Sequence, residues 1–376
     1  MTPPIQKTIY HLIPRIEYGG TERMLTQIMT SGAISSEWRQ VLYVMKGDHA
    51  ENMGRLIDAG CEIRQLPMGK GRIQAALGIF KSIMKLRRDC RKEKPDAIMG
   101  WLYYGNILAS MIRPKSALLF HNIRNSGFNV KEYQASLRWA LRINARLSHL
   151  ADMTIYNSHA GQHDHIGNGF CSHRNIVLHN GIDSDDFVPS AKYRKAWRQQ
   201  HGFRAKGKVI LTVGRNDPQK RYDQVFRLAK TFPKHLFVVI GEGVEKLEGP
   251  KNVMLLGHAN NINTIYPAAD IILSASSFGE GFQNTVAEGM AAGLVPVCHD
   301  AGDIRILVGE AGYVADDYDD LAWQLGHVLT MPPKAMKAAA TASRDQIVNN
   351  FSRAQFDQNF LNLLATSLLA DRGVSR

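Results

Sequence analysis

Ile271–Cys298 reads IILSASSFGEGFQNTVAEGMAAGLVPVC. An apolar run of strand length, Ile271–Ser274, leads into a glycine-rich loop. Asn284 or Thr285 then caps a helical stretch that carries Glu288 in its early turns. A second apolar run, Val295–Cys298, follows. Strand, loop, helix and strand in that order make one unit of a parallel sheet covered by helices. Seven residues separate Glu280 from Glu288. Past Gly281, the amides of Phe282, Gln283, Asn284 and Thr285 open the helix, where a diphosphate meets N–H donors and a favourable dipole. The flanking carboxylates are acceptors for sugar hydroxyls.

The same rhythm runs outward to both ends. Strand candidates in the first half are 9–13, 40–45, 62–66, 97–101, 117–120, 153–156 and 176–178, separated by helical patterns. The rhythm pauses at HNGIDSDDFVP, residues 179–189, where Asn-Gly and Pro punctuate a loop. A second series follows at 209–213, 236–240, 254–256, 271–274 and 295–298. The expected fold is α/β: two Rossmann-like α/β/α domains facing across a cleft. Residues 1–180 form the first and 181–355 the second. A helix over 356–376 packs back towards the first domain. Ligands of such sheets bind beyond the carboxyl ends of the strands.

Three further segments carry chemistry. VGRNDPQKR (213–221) ends a strand at Val213, turns on Gly214 and presents Arg215 and Lys220. Two cations there neutralise a diphosphate as it leaves. YGGTER (18–23) follows the first strand, and Gly19 and Gly20 let the backbone approach a ligand. FHNIRNS (120–126) follows a short apolar strand and puts His121 at its carboxyl end, within reach of a sugar. VVIGEGVEK (238–246) has a GxG but lacks the third glycine of a dinucleotide fingerprint, so it reads as a turn. Asp183-Ser-Asp185 sits in the hinge loop, where capping and solvation account for it. No His/Cys cluster has zinc spacing, and no metal is expected.

The Glu280–Glu288 segment resembles the E-x7-E signature of the family 4 retaining glycosyltransferases, of GT-B fold and group 1 type. Arg215 and Lys220 match that family's G-R-x4-K motif, and GGTER its GG-x-E-R loop. The resemblance covers roughly residues 8–315, and it implies that 1–180 is the acceptor-binding domain and 181–355 the nucleotide-sugar donor domain. It implies that Glu280 contacts the donor sugar, that Glu288 contacts the nucleotide ribose, and that Gly257 and His258 in LGHANNINTIYPAAD hold the base. It places His121 near the reacting sugar. It implies retention of anomeric configuration without a divalent metal, with a nucleoside diphosphate sugar as substrate and no cofactor. WLYYGN (101–106) and IRNS (123–126) resemble a bacterial subset that assembles cell-surface polysaccharide and lipopolysaccharide, although Tyr104 and Gly105 replace His-Ala of that pattern. A hexosyltransferase acting on a lipid-linked saccharide is the reading. A GT-B nucleotide-sugar epimerase and a non-catalytic nucleotide-sugar-binding subunit are the alternatives.

Composition bounds the setting. The chain has 376 residues, 44% hydrophobic and 21% charged. Residues 1–180 hold 24 Lys+Arg against 13 Asp+Glu, whereas 181–376 hold 22 against 21. Nearly all of the net charge of +12 therefore lies in the first half. Gly69–Lys94 carries nine Lys+Arg beside Ile73, Leu77, Phe80, Ile83, Met84 and Leu86. Arg138, Arg142 and Arg146 form another row beside Trp139. Such helices lie on an anionic membrane or bury the apolar face and solvate the basic one. No nucleic-acid-binding module is present, and nucleic acid is not an expected partner. No run of about 18 apolar residues occurs, nor a secretory leader. Four unclustered cysteines fit a reducing compartment. The expected location is cytoplasmic, peripheral to the inner face of the membrane.

Overall fold

A computed structural model describes residues 6–16, 19–47, 51–67, 69, 71–126, 135–203 and 207–374. The chain divides into two compact units, 1–179 with 356–376, and 180–355.

The first unit opens with β1 (Lys7–Ile16), α1 (Gly20–Met29), α2 (Gly32–Glu37) and β2 (Trp38–Gly47). Next come α3 (Glu51–Asp58), β3 (Glu62–Gln65), α4 (Arg72–Glu93), β4 (Ala97–Trp101) and α5 (Leu102–Ile112). It continues through β5 (Leu118–Ile123), α6 (Ala135–Leu147), β6 (Met153–Tyr156), α7 (His159–Gly167) and β7 (Asn175–Val177). Its seven strands are ordered β3-β2-β1-β4-β5-β6-β7, and each described pairing is parallel. β4 and β5 are buried at every position, which is why β4 and the first half of β5 read as apolar runs rather than alternating ones.

The second unit holds α8 (Ala191–Gln200), β8 (Val209–Val213), α9 (Tyr222–Thr231), β9 (Leu236–Ile240) and β10 (Val253–Leu256). Then follow α10 (Ile262–Ile265), β11 (Ile271–Ser274), α11 (Asn284–Ala291), β12 (Val295–His299) and α12 (Ile304–Val308). β13 (Tyr313–Ala315), α13 (Tyr318–Thr330) and α14 (Pro333–Asn350) complete it. Its six strands are ordered β10-β9-β8-β11-β12-β13, again parallel. In each sheet the first strand of the unit lies centrally, and the chain runs outward on one side before crossing to the other. The crossing points are β1/β4 and β8/β11, where the connections diverge and leave a crevice at the strands' carboxyl ends.

The last helix, α15 (Arg353–Val374), returns to the first unit. Phe356, Phe360, Leu361 and Leu364 join the core formed by Ile9, Ile13, Leu25 and Met99. The Ser31 hydroxyl donates to Asp357 at 2.6 Å. α5, α14 and β13 were not among the elements read from the sequence as such. α5 starts directly on the last residue of β4, and Leu102 takes a left-handed φ of 59° to make that turn.

Candidate functional site

The β8/β11 crossing brings together residues that are 60 positions apart. Lys220 Nζ donates to Glu280 Oε1 at 2.7 Å, and both side chains are nearly buried. Gly214 explains how the lysine gets there, since a Cβ at that position would meet Lys220 Cε at 2.8 Å. Gln219 adds a second donor to the same carboxylate oxygen at 3.4 Å. Its backbone carbonyl accepts from the Ser277 amide at 3.3 Å, tying the loop after β8 to the loop after β11. Arg215 differs from Lys220: it is exposed, and its Nε donates to Asp217 at 3.1 Å. The GxG after β9 has a packing reason. A Cβ on Gly241 would strike the Gly214 carbonyl, so the glycine permits close approach of two backbones.

Glu288 lies in α11 and is 2% exposed. Its Oε2 accepts from the Tyr266 hydroxyl at 3.0 Å. The helix cap differs from the expectation. Gln283 occupies the cap position, without a side-chain cap bond, in place of Asn284 or Thr285. The Gln283 side chain turns inward, accepting from Ser274 at 2.7 Å and donating to the Ala301 carbonyl at 3.1 Å. Phe282 is buried against Phe351. Asn284 Oδ1 accepts from Asn180 at 2.7 Å. The Phe282, Gln283 and Asn284 side chains are thus engaged within the unit, and the Asn284 amide bonds the Phe282 carbonyl at 3.1 Å. Gly289 lies against β11, where a Cβ would come within 2.9 Å of the Ile272 side chain, so its role is close helix–strand packing. Gly281 accepts from the Asp303 amide at 3.1 Å. Gly302 (φ 65°) lies on the carbonyls of Glu280 and Gly281 and holds the loop shape. Gly257 follows β10, and His258 beside it is exposed. Asp183 forms a local turn, accepting from the amides of Asp185 and Asp186, and pairs with Arg353 at 3.2 Å.

At the β1/β4 crossing of the first unit, Gly19 caps α1 and Gly20 is its first residue. A Cβ on Gly19 would collide with the Glu22 carboxylate, so this glycine makes room for the acid of the first helical turn. Tyr18 lies outside the described residues. Two neighbouring segments, WLYYGN and IRNS, knit together. Asn106 Oδ1 accepts from the Asn122 amide at 3.2 Å, and Asn106 Nδ2 donates to Asn144 at 3.3 Å. Tyr103 bonds His165 at 2.9 Å and Asn125 at 3.3 Å. The Arg124 guanidinium lies 5.3 Å from the Trp101 ring centroid, and burial lowers its pKa to about 9. Gly105 is explained by β1, because a Cβ there would collide with the Leu12 carbonyl.

His121 departs from expectation. β5 runs two residues further, to Ile123, so His121 is an interior strand residue with no exposed surface. Its Nε2 bonds the Ser110 hydroxyl at 2.8 Å. Burial lowers its pKa to about 3, which keeps the ring neutral. The Ser110 bond ties β5 to α5 through Nε2.

α4 resolves an ambiguity of its sequence. Ile83, Leu86 and Cys90 enter the core, but Leu77, Phe80 and Met84 are 54%, 62% and 50% exposed. Phe80 and Met84 line a surface groove with Lys81, Lys85, Arg87, Arg88 and Arg91. α4's carboxylates are both occupied: Asp89 accepts from Tyr43, and Glu93 from Arg39 and Arg64. α6 adds exposed Trp139, with Arg142 at 5.8 Å from its ring, and exposed Arg138 and Arg146. No described helix is long and apolar enough to cross a membrane.

Comparison with known proteins places this geometry. Residues 193–345 match the family described as "Glycosyl transferases group 1", and residues 19–186 match "Glycosyltransferase Family 4". The D-inositol 3-phosphate glycosyltransferase of Mycolicibacterium smegmatis is 26% identical over 210 residues, 48% of this chain and 48% of that protein. The phosphatidyl-myo-inositol mannosyltransferase of Mycobacterium tuberculosis is 23% identical over 180 residues, 44% of this chain and 43% of its own. The chain thus spans about half the length of the curated relatives it matches. The crystal structure of Anabaena Alr3699/HepE in complex with UDP and glucose shares the fold, with a TM-score of 0.80 at 18% identity, covering 96% of this chain and 100% of that one. With one family matched in each unit and a GT-B neighbour over nearly its whole length, the chain belongs to the family 4, group 1 glycosyltransferases.

Proposed function

We propose that this glycosyltransferase moves a hexose-type sugar from a nucleoside diphosphate to a lipid-linked saccharide, with retention and without a divalent metal. The observation that carries the reading is the Lys220–Glu280 pair at the β8/β11 crossing. A cation there stabilises the charge that develops on the departing diphosphate. Glu280 accepts from the sugar hydroxyls and Glu288 from the ribose, while the amides at the start of α11 and the exposed Arg215 add to the diphosphate site. None of these is a base placed for the acceptor. In this reading the departing phosphate oxygen takes the acceptor proton as the acceptor oxygen bonds the anomeric carbon on the face the phosphate leaves. His121, being buried, is assigned a bracing role. The donor is a substrate, and no cofactor takes part.

The test is thermal stability against UDP-, GDP- and ADP-sugars in the presence of EDTA. A donor at 100 times its Kd stabilises the unit that binds it by about 2.7 kcal/mol. The response is expected for one base in wild type and to be lost in Lys220→Ala. Silence with every donor would sink the reading. Turnover of donor into a second nucleotide sugar without acceptor would favour an epimerase instead.

The acceptor and the peripheral membrane location rest on the α4 and α6 surface. Leu77, Phe80 and Met84 suit insertion at the headgroup boundary, with the neighbouring cations on anionic lipid. Each cation contributes about 1 kcal/mol at such a surface. The triple change Lys81→Glu/Arg88→Glu/Arg91→Glu is expected to release the protein from phosphatidylglycerol vesicles at low salt by more than a hundredfold. Equal sedimentation of variant and wild type would remove the membrane from the proposal.

A further inference from the structure

Tyr266 stands 22 residues before Glu288, in the LGHANNINTIYPAAD segment but apart from Gly257 and His258. It has no exposed surface. Its ring meets Phe187 edge-on at 5.6 Å and 80°, within the second unit's core. It opens the short 3-10 turn Tyr266–Ala268 that leads into β11. Held from both sides, the hydroxyl reaches two acceptors on α11: the Thr285 carbonyl at 3.0 Å and Glu288 Oε2 at 3.0 Å. A phenol has one proton, and the carboxylate is the stronger acceptor of the two.

This contact does something packing alone does not require. An apolar ring of the same shape would fill the same space. The hydroxyl fixes one oxygen of a glutamate that otherwise has three torsions to choose from, and it does so from a rigid element outside α11.

We propose that Tyr266 is the positioning residue of the ribose subsite: by holding Glu288 Oε2 it sets the orientation of the carboxylate that accepts from the ribose hydroxyls of the donor. The inference rests on the reading of Glu288 as the ribose acceptor.

The experiment is a calorimetric cycle. The nucleoside diphosphate among UDP, GDP and ADP that binds wild type most tightly is compared with its 2′,3′-dideoxy form. Both ligands are titrated into wild type, Tyr266→Phe and Glu288→Gln. Wild type is expected to prefer the ribose form at least tenfold. Tyr266→Phe keeps the ring and is expected to lose most of that preference, with dideoxy affinity unchanged. An equal loss for both ligands would make Tyr266 a packing residue and overturn the proposal. A wild type that binds the diphosphate without preferring ribose would overturn it at Glu288. A wild type that binds no diphosphate would instead sink the donor-site reading beneath it. Should Tyr266→Phe fail to fold, Glu288→Asp serves, since it withdraws the carboxylate from an intact Tyr266. Its ribose preference is expected to fall as far as in Glu288→Gln, and full retention would overturn the proposal.

Discussion

Lys220→Ala is expected to lower kcat by roughly 10²–10³, the usual cost of removing one preorganised group that stabilises charge in the transition state. The ligand-free pairing sharpens this expectation. Lys220 is bonded to Glu280 at 2.7 Å, so an arriving diphosphate must share or displace that carboxylate. Glu280→Gln therefore has an effect of opposite sign on one ligand. With its carboxylate partner gone, Lys220 is expected to bind the bare nucleoside diphosphate several-fold more tightly, while turnover of the sugar nucleotide falls with loss of the hydroxyl acceptor. Lys220→Ala weakens both ligands. Removing one member of a nearly buried ion pair also destabilises the fold, by roughly 3–5 kcal/mol when burial is complete. The thermal midpoint of each variant therefore needs measuring beside its kinetics. Calorimetry with diphosphate and sugar nucleotide decides the matter. If Glu280→Gln weakens the bare diphosphate as much as Lys220→Ala does, the pair is structural and Lys220 does not hold the leaving group.

The sequence was legible where local pattern and tertiary demand agree. β8, β11 and β12 are short apolar runs bounded by Gly, Ser or Asp, and their alternation with helices allows little but a parallel sheet. What the pattern could not carry was pairing across the sheet. Nothing between residues 220 and 280 announces that those two side chains meet, because the contact is made by sheet order rather than by spacing. Tyr266 was passed over for the same reason. His121 was misplaced because strand ends are fixed by the neighbouring strand: Asn122 and Ile123 still pair with β6, so the carboxyl edge lies beyond the histidine. The cap of α11 went to Gln283 because Ser274 and Ala301 satisfy its amide, a tertiary arrangement that outweighs the better capping propensity of Asn284. On α4, the period of 3.6 identified a helix but could not say which of two apolar stripes faces inward. Packing buries Ile83 and Leu86 and leaves Phe80 and Met84 outside.

That exposed stripe depends on how firmly α4 is held, and the holding is electrostatic. Glu93, the helix's last residue, accepts from Arg64 Nη1 at 2.6 Å on β3 and from Arg39 Nη1 at 3.0 Å on β2. Glu62 bridges the same two arginines. A carboxylate at a helix carboxyl end opposes the helix dipole, so these bonds must outweigh that penalty. Burial alone would raise the Glu93 pKa, but the hydrogen bonds and charge of Arg64, with Tyr10 and then Arg39 behind it, outweigh burial and bring it from 4.5 down to about 2. A pKa lower in the folded than in the unfolded chain stabilises the fold above the unfolded value, and that stability is lost as pH falls towards the folded value. The loss is therefore expected between pH 4.5 and 2 and, discounted for solvent screening of these partly exposed groups, amounts to about 1–2 kcal/mol. Glu93→Gln should show the complementary behaviour. It is expected to lose a comparable amount at pH 7, and to converge on wild type as pH approaches 2. Because the chain has two units, a single unfolding midpoint does not isolate the effect. Hydrogen exchange of peptides spanning 72–93, read across pH 2–7 after correction for intrinsic rates, reports on α4 itself. Parallel protection curves for wild type and Glu93→Gln over that range would mean that Glu93 does not anchor the helix. Vesicle binding joins the two ends of α4. If the carboxyl-terminal anchor orients the outer stripe, Glu93→Gln should weaken binding to anionic vesicles at pH 7 even though it removes a negative charge, the reverse of what net charge alone predicts.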